Sequence, residues 1–370
     1  MAGHFPQSIG PSVFAMWNEF YNTEYAEDAA LRPAPSLRIE MNRLQLAALG
    51  AAAALAVLAC FAWFPRAAVP VAGAAPHTSH ASDASGTPAA AHADHAPLPR
   101  RIVSTSPSVT GILLAIDAPV VATAATTPSR MTDDKGFFSQ WAAVADKRGV
   151  QVLYRNLQFD IEAAIGASPD LLVASATGAD SVAQHRTELQ AQGVPMVVVD
   201  YSSQSWQDIA TELGRITGHA KEAAAAIARF DAHVAQTAAS IMPPAQPVSI
   251  VAYNMAGSYS IARAASPHAR LLAALGFKVE GLPPALAAQV TRASDFEFIS
   301  RENLSAAITG DSVFLLGASQ GDVQAFLDDP LLANLPAVAG RRVYPLGPTS
   351  FRIDYYSGQQ MVDAVASHFR

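Results

Sequence analysis

Ser205-Trp-Gln-Asp-Ile-Ala-Thr-Glu-Leu-Gly-Arg-Ile-Thr-Gly-His219, continued from Ala220 to Ile241, reads as nearly continuous helix. Gly218 suits a helix C′ position, and Pro243-Pro244 stops the second part. Ala224, Ile227, Phe230 and Val234 share one face. On either side the rhythm changes. Before it, short apolar strands (Arg101–Ser104, Val120–Ala122, Leu171–Ala174, Met196–Val199) alternate with helical patterns such as Val109, Ile112, Leu113 and Ile116. After it, strands at Val248–Tyr253, Phe277–Val279, Val313–Leu316 and Arg342–Leu346 alternate with helices, the last at Asp354–Phe369. Apolar strands alternating with helices predict parallel sheets covered on both faces. The fold class is therefore α/β, with two Rossmann-like lobes joined by a single long backbone helix. The predicted division is 99–204 for the N-terminal lobe, 205–243 for the interlobe helix and 244–370 for the C-terminal lobe. Two lobes on a stiff connector suit holding a ligand in a cleft. In open α/β sheets the ligand lies beyond the C-terminal strand ends. Those ends are Thr105, Thr126–Arg130, Ala176–Asp180, Tyr201, Asn254–Arg263 and Thr349–Arg352.

The 370 residues are 51% hydrophobic and 15% charged, with net charge −7, which allows two packed domains and argues against a nucleic-acid partner. Cys60 is the sole cysteine, so no internal disulfide can form. Leu44–Phe64 is an uncharged apolar run long enough to span a bilayer, preceded by Arg38 and Arg43. Met41-Asn42-Arg43 resembles the start of an export signal, leaving 1–40 as an extension of no assigned role. The segment 41–75 is then a signal peptide or anchor. It is cleaved near Ala72-Gly73-Ala74, retained through 44–64, or lipidated at Cys60. Each outcome places the rest in the periplasm. The stretch 76–98 reads as a tether; its His77, His80, His92 and His95 have metal-ligand spacing, but a polar spacer is the plainer reading.

Several stretches resemble the periplasmic ferric enterobactin-binding proteins, within the iron–siderophore class of ABC-transporter substrate-binding proteins. They are Arg101-Ile-Val-Ser-Thr105, Leu113-Leu-Ala-Ile-Asp-Ala-Pro119, Ala125-Thr-Thr-Pro128, Ser175-Ala-Thr-Gly178, Ser205-Trp206-Gln207, Leu213-Gly-x-Ile-Thr-Gly-His219, Pro330-Leu-Leu-Ala333 and Phe351-Arg-x-Asp-Tyr-Tyr-Ser357. The resemblance implies the helical-backbone (class III) receptor fold with little hinge closure. It also implies a ferric catecholate siderophore as ligand, and an inner-membrane permease with its ATPase as partners. The protein would act as a monomer, add no iron ligand and need no cofactor. A tricatecholate around Fe(III) is a trianion with aromatic faces, suited to arginine.

Arg352 matches the arginine of the Phe-Arg-x-Asp-Tyr-Tyr segment and leads the site candidates. Arg130, Arg292, Arg263, Tyr355, Tyr356, Trp206, Thr105 and Thr127 complete the set. The class commonly carries a permease-docking glutamate on the first N-lobe helix, where this chain has Gly111. Asp117, Asp133, Asp134 and Glu302 are the substitutes.

Two rivals stand beside this reading. Gly317-Ala-Ser319-Gln-Gly321 fits a nucleophile elbow, and Asp354 and His368 follow in hydrolase order. A metal-ion or haem binder would instead use the tether histidines or Tyr253 and Tyr259.

Overall fold

The structure is a computed structural model and describes residues 97–370 apart from 256, 292 and 293. The expectations for 1–96, including Cys60, the apolar run and the tether histidines, lie outside the described residues. So does Arg292.

In the N lobe, β1 (Ile102–Ser104) sits at the centre of a parallel sheet because every one of its residues is apolar or small enough to be buried. It pairs with β2 (Val120–Thr123) and β4 (Leu171–Ser175). Outside these lie β3 (Gln151–Val152) and β5 (Met196–Val199), giving the order β3-β2-β1-β4-β5. The crossovers are α1 (Pro107–Ala115), α2 (Ser139–Lys147), α3 (Ile161–Gly166) and α4 (Arg186–Ala191). Pro107 opens α1, where its missing N–H costs nothing.

The connector contains two helices. α5 (Trp206–Thr217) starts in a capping box made by Ser205 and Asp208 and stops at Gly218, which adopts the left-handed conformation. α6 (Ala220–Ala238) then runs to the C lobe, with α5 packed back against it. The spanning helix is thus α6.

The C lobe departs from the all-parallel expectation. β6 (Val248–Met255) turns directly into β7 (Ser258–Ala262), antiparallel to it, and β8 (Phe296–Ile299) is antiparallel to β7. β9 (Ser312–Leu315) and β10 (Val343–Pro345) extend the other side in parallel, so the order is β10-β9-β6-β7-β8. Phe277–Val279 contributes only the bridge Val248↔Val279. Helices α7 (Pro267–Ala274), α8 (Pro284–Ala287), α9 (Leu304–Ala307), α10 (Gln320–Leu327) and α11 (Pro336–Ala339) join the strands.

The final helix, α12 (Tyr355–Phe369), crosses back and packs against α1, α2 and α6. Phe351 meets Phe138 edge-on at 5.0 Å, and Gln140 Nε2 donates to Asp354 Oδ2 at 3.2 Å. Both contacts join the C-terminal segment to the N lobe. One hydrophobic cluster therefore runs through both lobes, from Ile102 and Trp141 to Phe230, Phe351 and Met361. The lobes are held by two crossings, α6 and the Phe351–α12 segment.

Candidate ligand cleft

The strand ends of the N lobe supply the first wall. Asp180, 3% exposed, accepts hydrogen bonds from Ser106 Oγ and, at 2.7 Å, from the Tyr201 hydroxyl. Gly178 makes that second bond possible. Its φ is +85°, and a Cβ there would lie 1.7 Å from the Tyr201 hydroxyl oxygen. Gly178→Ala is expected to destabilise the chain by about 1–3 kcal/mol in a denaturant titration, from backbone strain plus the displaced tyrosine. An unchanged midpoint would show that Tyr201 can leave without cost.

The C lobe supplies the opposite wall. Phe351 is anchored in the core, which leaves its neighbour Arg352 half-buried with its guanidinium 4.7 Å from the centre of the Tyr201 ring. This is a cation–π contact between the lobes. Ser266 caps α7 by accepting from Ala269 N, which fixes His268 just inside the first turn. His268 is 1% exposed and its Nε2 donates to Ser350 O at 2.7 Å. Burial lowers its pKa, against the opposing pull of Asp295 and the Ser350 bond and with Arg352 adding to the lowering.

Between these walls lies a cavity of about 310 Å³ lined by Tyr201, Trp206, His268, Arg270, Asp295 and Arg352, among others. It mixes aromatic faces, the two guanidinium groups of Arg270 and Arg352, and the two carboxylates of Asp231 and Asp295. Ser108 and Trp206, both cavity residues, have a buried hydroxyl oxygen and indole nitrogen without a hydrogen-bond partner among the described residues.

Of the candidates from sequence, Arg352 and Trp206 reach this cavity. Trp206 is 4% exposed and sits edge-on to Phe230 and Tyr355, so it forms wall more than free stacking platform. Tyr355 and Tyr356 point elsewhere. The Tyr355 hydroxyl accepts from Arg229 Nε at 3.3 Å. Tyr356 is half-buried near Arg148, its hydroxyl pushed up to about 12 chiefly by burial. Thr105 is fully buried, its amide bonded to Val173 O. Thr127 Oγ1 donates to Asn156 Oδ1 at 2.9 Å on the N-lobe loop. Arg263 lies 3.5 Å from Glu297 Oε1, beyond the far end of β7. Arg130 reaches across to the C lobe, 2.9 Å from Asp322 Oδ2. A second interlobe pocket of about 80 Å³ adjoins that pair.

Sequence reasoning missed His268, Arg270 and Asp295. Tyr201 was marked only as a strand end, which was the available signal.

The proposed docking acids are spread out. Asp117, with φ of +61°, is paired to Arg148. Asp133 accepts from Lys135 N and Phe137 N, both at 2.9 Å, and so closes a turn. Asp134 and Glu302 are exposed.

The hydrolase constellation is not assembled. Ser319 Oγ donates to Asp322 Oδ2 at 2.7 Å, as the cap of α10. Asp354 accepts from Tyr356 N and Ser357 N, both at 2.8 Å, as the cap of α12. His368 lies in the last turn of α12 against Tyr344. The tyrosine-based metal reading fares no better. Tyr253 donates its hydroxyl to Asp329 at 2.7 Å and meets the Tyr259 ring edge-on at 5.6 Å, so the pair is engaged in packing and hydrogen bonding. Among the described residues no group of three or more His, Cys, Asp or Glu could hold a metal ion.

Residues 102–349 match the family model described as periplasmic binding protein. The ferric enterobactin-binding periplasmic protein FepB of Escherichia coli O6:H1 is 42% identical over 275 residues, covering 73% of this chain and 86% of that protein. The crystal structure of holo-ViuP is 38% identical, with a TM-score of 0.67 over 74% of this chain and 90% of that one. FhuD2 of Staphylococcus aureus with bound ferrioxamine B shares the fold, at 20% identity and a TM-score of 0.54 over 73% of this chain and 97% of that one.

Proposed function

The chain belongs to the periplasmic binding protein family, and from that premise we propose that it captures a ferric catecholate siderophore in the interlobe cleft for an ABC importer. It delivers the intact chelate to an inner-membrane permease driven by its ATPase. It works in the periplasm as a monomer, and the apolar run Leu44–Phe64 serves its export or anchoring. The relative at 42% identity is named for binding ferric enterobactin, which supports this ligand class. Among the described residues no helix is long and apolar enough to cross a membrane.

One observation carries the reading: Arg352 of the C lobe lies over Tyr201 of the N lobe at the wall of a 310 Å³ cavity. A guanidinium can donate to catecholate oxygens through its planar edge while an aromatic ring supports its face. Burial between two lobes strengthens such charge-assisted bonds relative to water. The iron keeps its six catecholate oxygens, so the protein adds no ligand to the metal.

The test is a titration of the chain with ferric enterobactin, ferric citrate and a ferric hydroxamate, following tryptophan fluorescence. Saturable quenching by the catecholate is expected, and Trp206→Phe should remove most of it because Trp206 lines the cavity. No binding of any ferric chelate, or release of a hydrolysed siderophore, would overturn the proposal.

A further inference from the structure

Arg130 is carried by the N-lobe loop after β2, yet its guanidinium is held by the C lobe. Nη1 lies 2.9 Å from Asp322 Oδ2, and Nη2 donates to Gly317 O, also at 2.9 Å. The same Asp322 oxygen already accepts from Ser319 N and Ser319 Oγ, both at 2.7 Å, in the capping box of α10. Losing the arginine would therefore leave the carboxylate still hydrogen-bonded. The arginine side chain is 56% exposed and would meet water on release. Neither partner would be stranded, so the pair is suited to exchange.

The surroundings say what it exchanges with. The pocket of about 80 Å³ is lined by Arg130, Tyr253, Asn254, Gly317 and Asp322, among others, so a small anionic group can approach the guanidinium there. Gly317 N donates to Ser350 Oγ at 2.9 Å, two residues before Arg352. The turn that holds Arg130 and the segment that presents Arg352 are thus hydrogen-bonded to each other.

We propose that Asp322 is an internal competitor for the anionic ligand: the carboxylate and the ligand's oxygens use the same Arg130 guanidinium, and the ligand must displace Asp322 to gain it. This rests on reading the cleft as the site of an anionic chelate. Asp322 then sets affinity and discrimination. It opposes ligands of low charge, which cannot outbid a carboxylate for the arginine, and yields to a concentrated negative charge. Its own repulsion of an anion acts in the same direction.

The test compares wild type, Asp322→Asn, Arg130→Gln and the double variant in ferric enterobactin titrations at low and high salt. Asparagine keeps an acceptor for Ser319 N, and a melting curve checks that α10 stays capped. Asp322→Asn is expected to bind about two- to fivefold more tightly at low salt, the range of a partly exposed ion pair. Arg130→Gln should bind more weakly, and most of the Asp322→Asn gain should vanish in the double variant and at high salt. If Asp322→Asn binds no more tightly than wild type, the pair is a structural clasp and this inference falls alone. If wild type binds no ferric chelate, the reading of the cleft falls and this inference falls with it.

Discussion

Gly111→Glu is expected to abolish stable folding, with a loss above about 4 kcal/mol and little soluble chain recovered. Every residue of α1 is buried, Gly111 included. A Cβ at 111 would lie 2.7 Å from Trp141 Cδ1 and 2.8 Å from Asp354 Oδ2. Trp141 is fully buried and Asp354 is 3% exposed, so neither can swing into solvent to make room. The charge is worse than the bulk. Burial already raises the Asp354 carboxyl above its usual range, against the pull of bonds from Ser357, Gln140 and Tyr356. A second carboxylate against it would add an unpaired like charge in a low-dielectric site. Gly111→Ala meets only the steric part and should cost about 1–3 kcal/mol. Urea unfolding of both variants checks this, and a Gly111→Glu chain within about 1 kcal/mol of wild type would contradict it. The consequence reaches function. The class resemblance implies a docking glutamate at this helix, but position 111 faces Trp141 and Asp354. An acid that meets the permease from this chain has to come from the exposed surface.

Arg352→Ala is expected to weaken ferric catecholate binding roughly tenfold to a hundredfold, the effect of losing about 1.5–3 kcal/mol of charge-assisted hydrogen bonding. Ser357 Oγ donates to the backbone oxygen of residue 352, and Phe351 anchors the segment in the core, so the truncation spares the local fold. A melting curve should move little while affinity falls. Arg352→Lys keeps the charge but loses the planar fork, and should recover only part of the affinity. Equal binding by Arg352→Ala and wild type would remove Arg352 from the site.

The Phe351–Tyr356 segment also shows where sequence reading succeeds and where it stops. As a linear pattern it offers Arg352, Tyr355 and Tyr356 as site candidates. In the structure its residues diverge. Phe351 packs on Phe138, Arg352 reaches the cavity, Asp354 caps α12, Tyr355 touches Trp206, and Tyr356 turns toward Arg148. Adjacent residues at a helix start leave the axis in different directions, so neighbours in sequence need not share a site. The β6–β7 hairpin is invisible in the sequence, where Asn254–Arg263 reads only as a strand end, for a related reason. Ser258–Ala262 is too short and too polar to announce itself, and only pairing with β6 makes it a strand.

By itself the amino-acid sequence determined the two α/β lobes and the helical connector with its stop at Gly218. Those features are written in local periodicity, caps and turn residues, which need no distant partner to act. Only the tertiary structure decided that His268, Arg270 and Asp295 join Tyr201 around one cavity, that Gly111 is walled in, and that Arg130 is shared with Asp322. Each depends on side chains far apart in the chain, 192 residues for Arg130 and Asp322 and 214 for Gln140 and Asp354, that meet because burying apolar surface packs the lobes together.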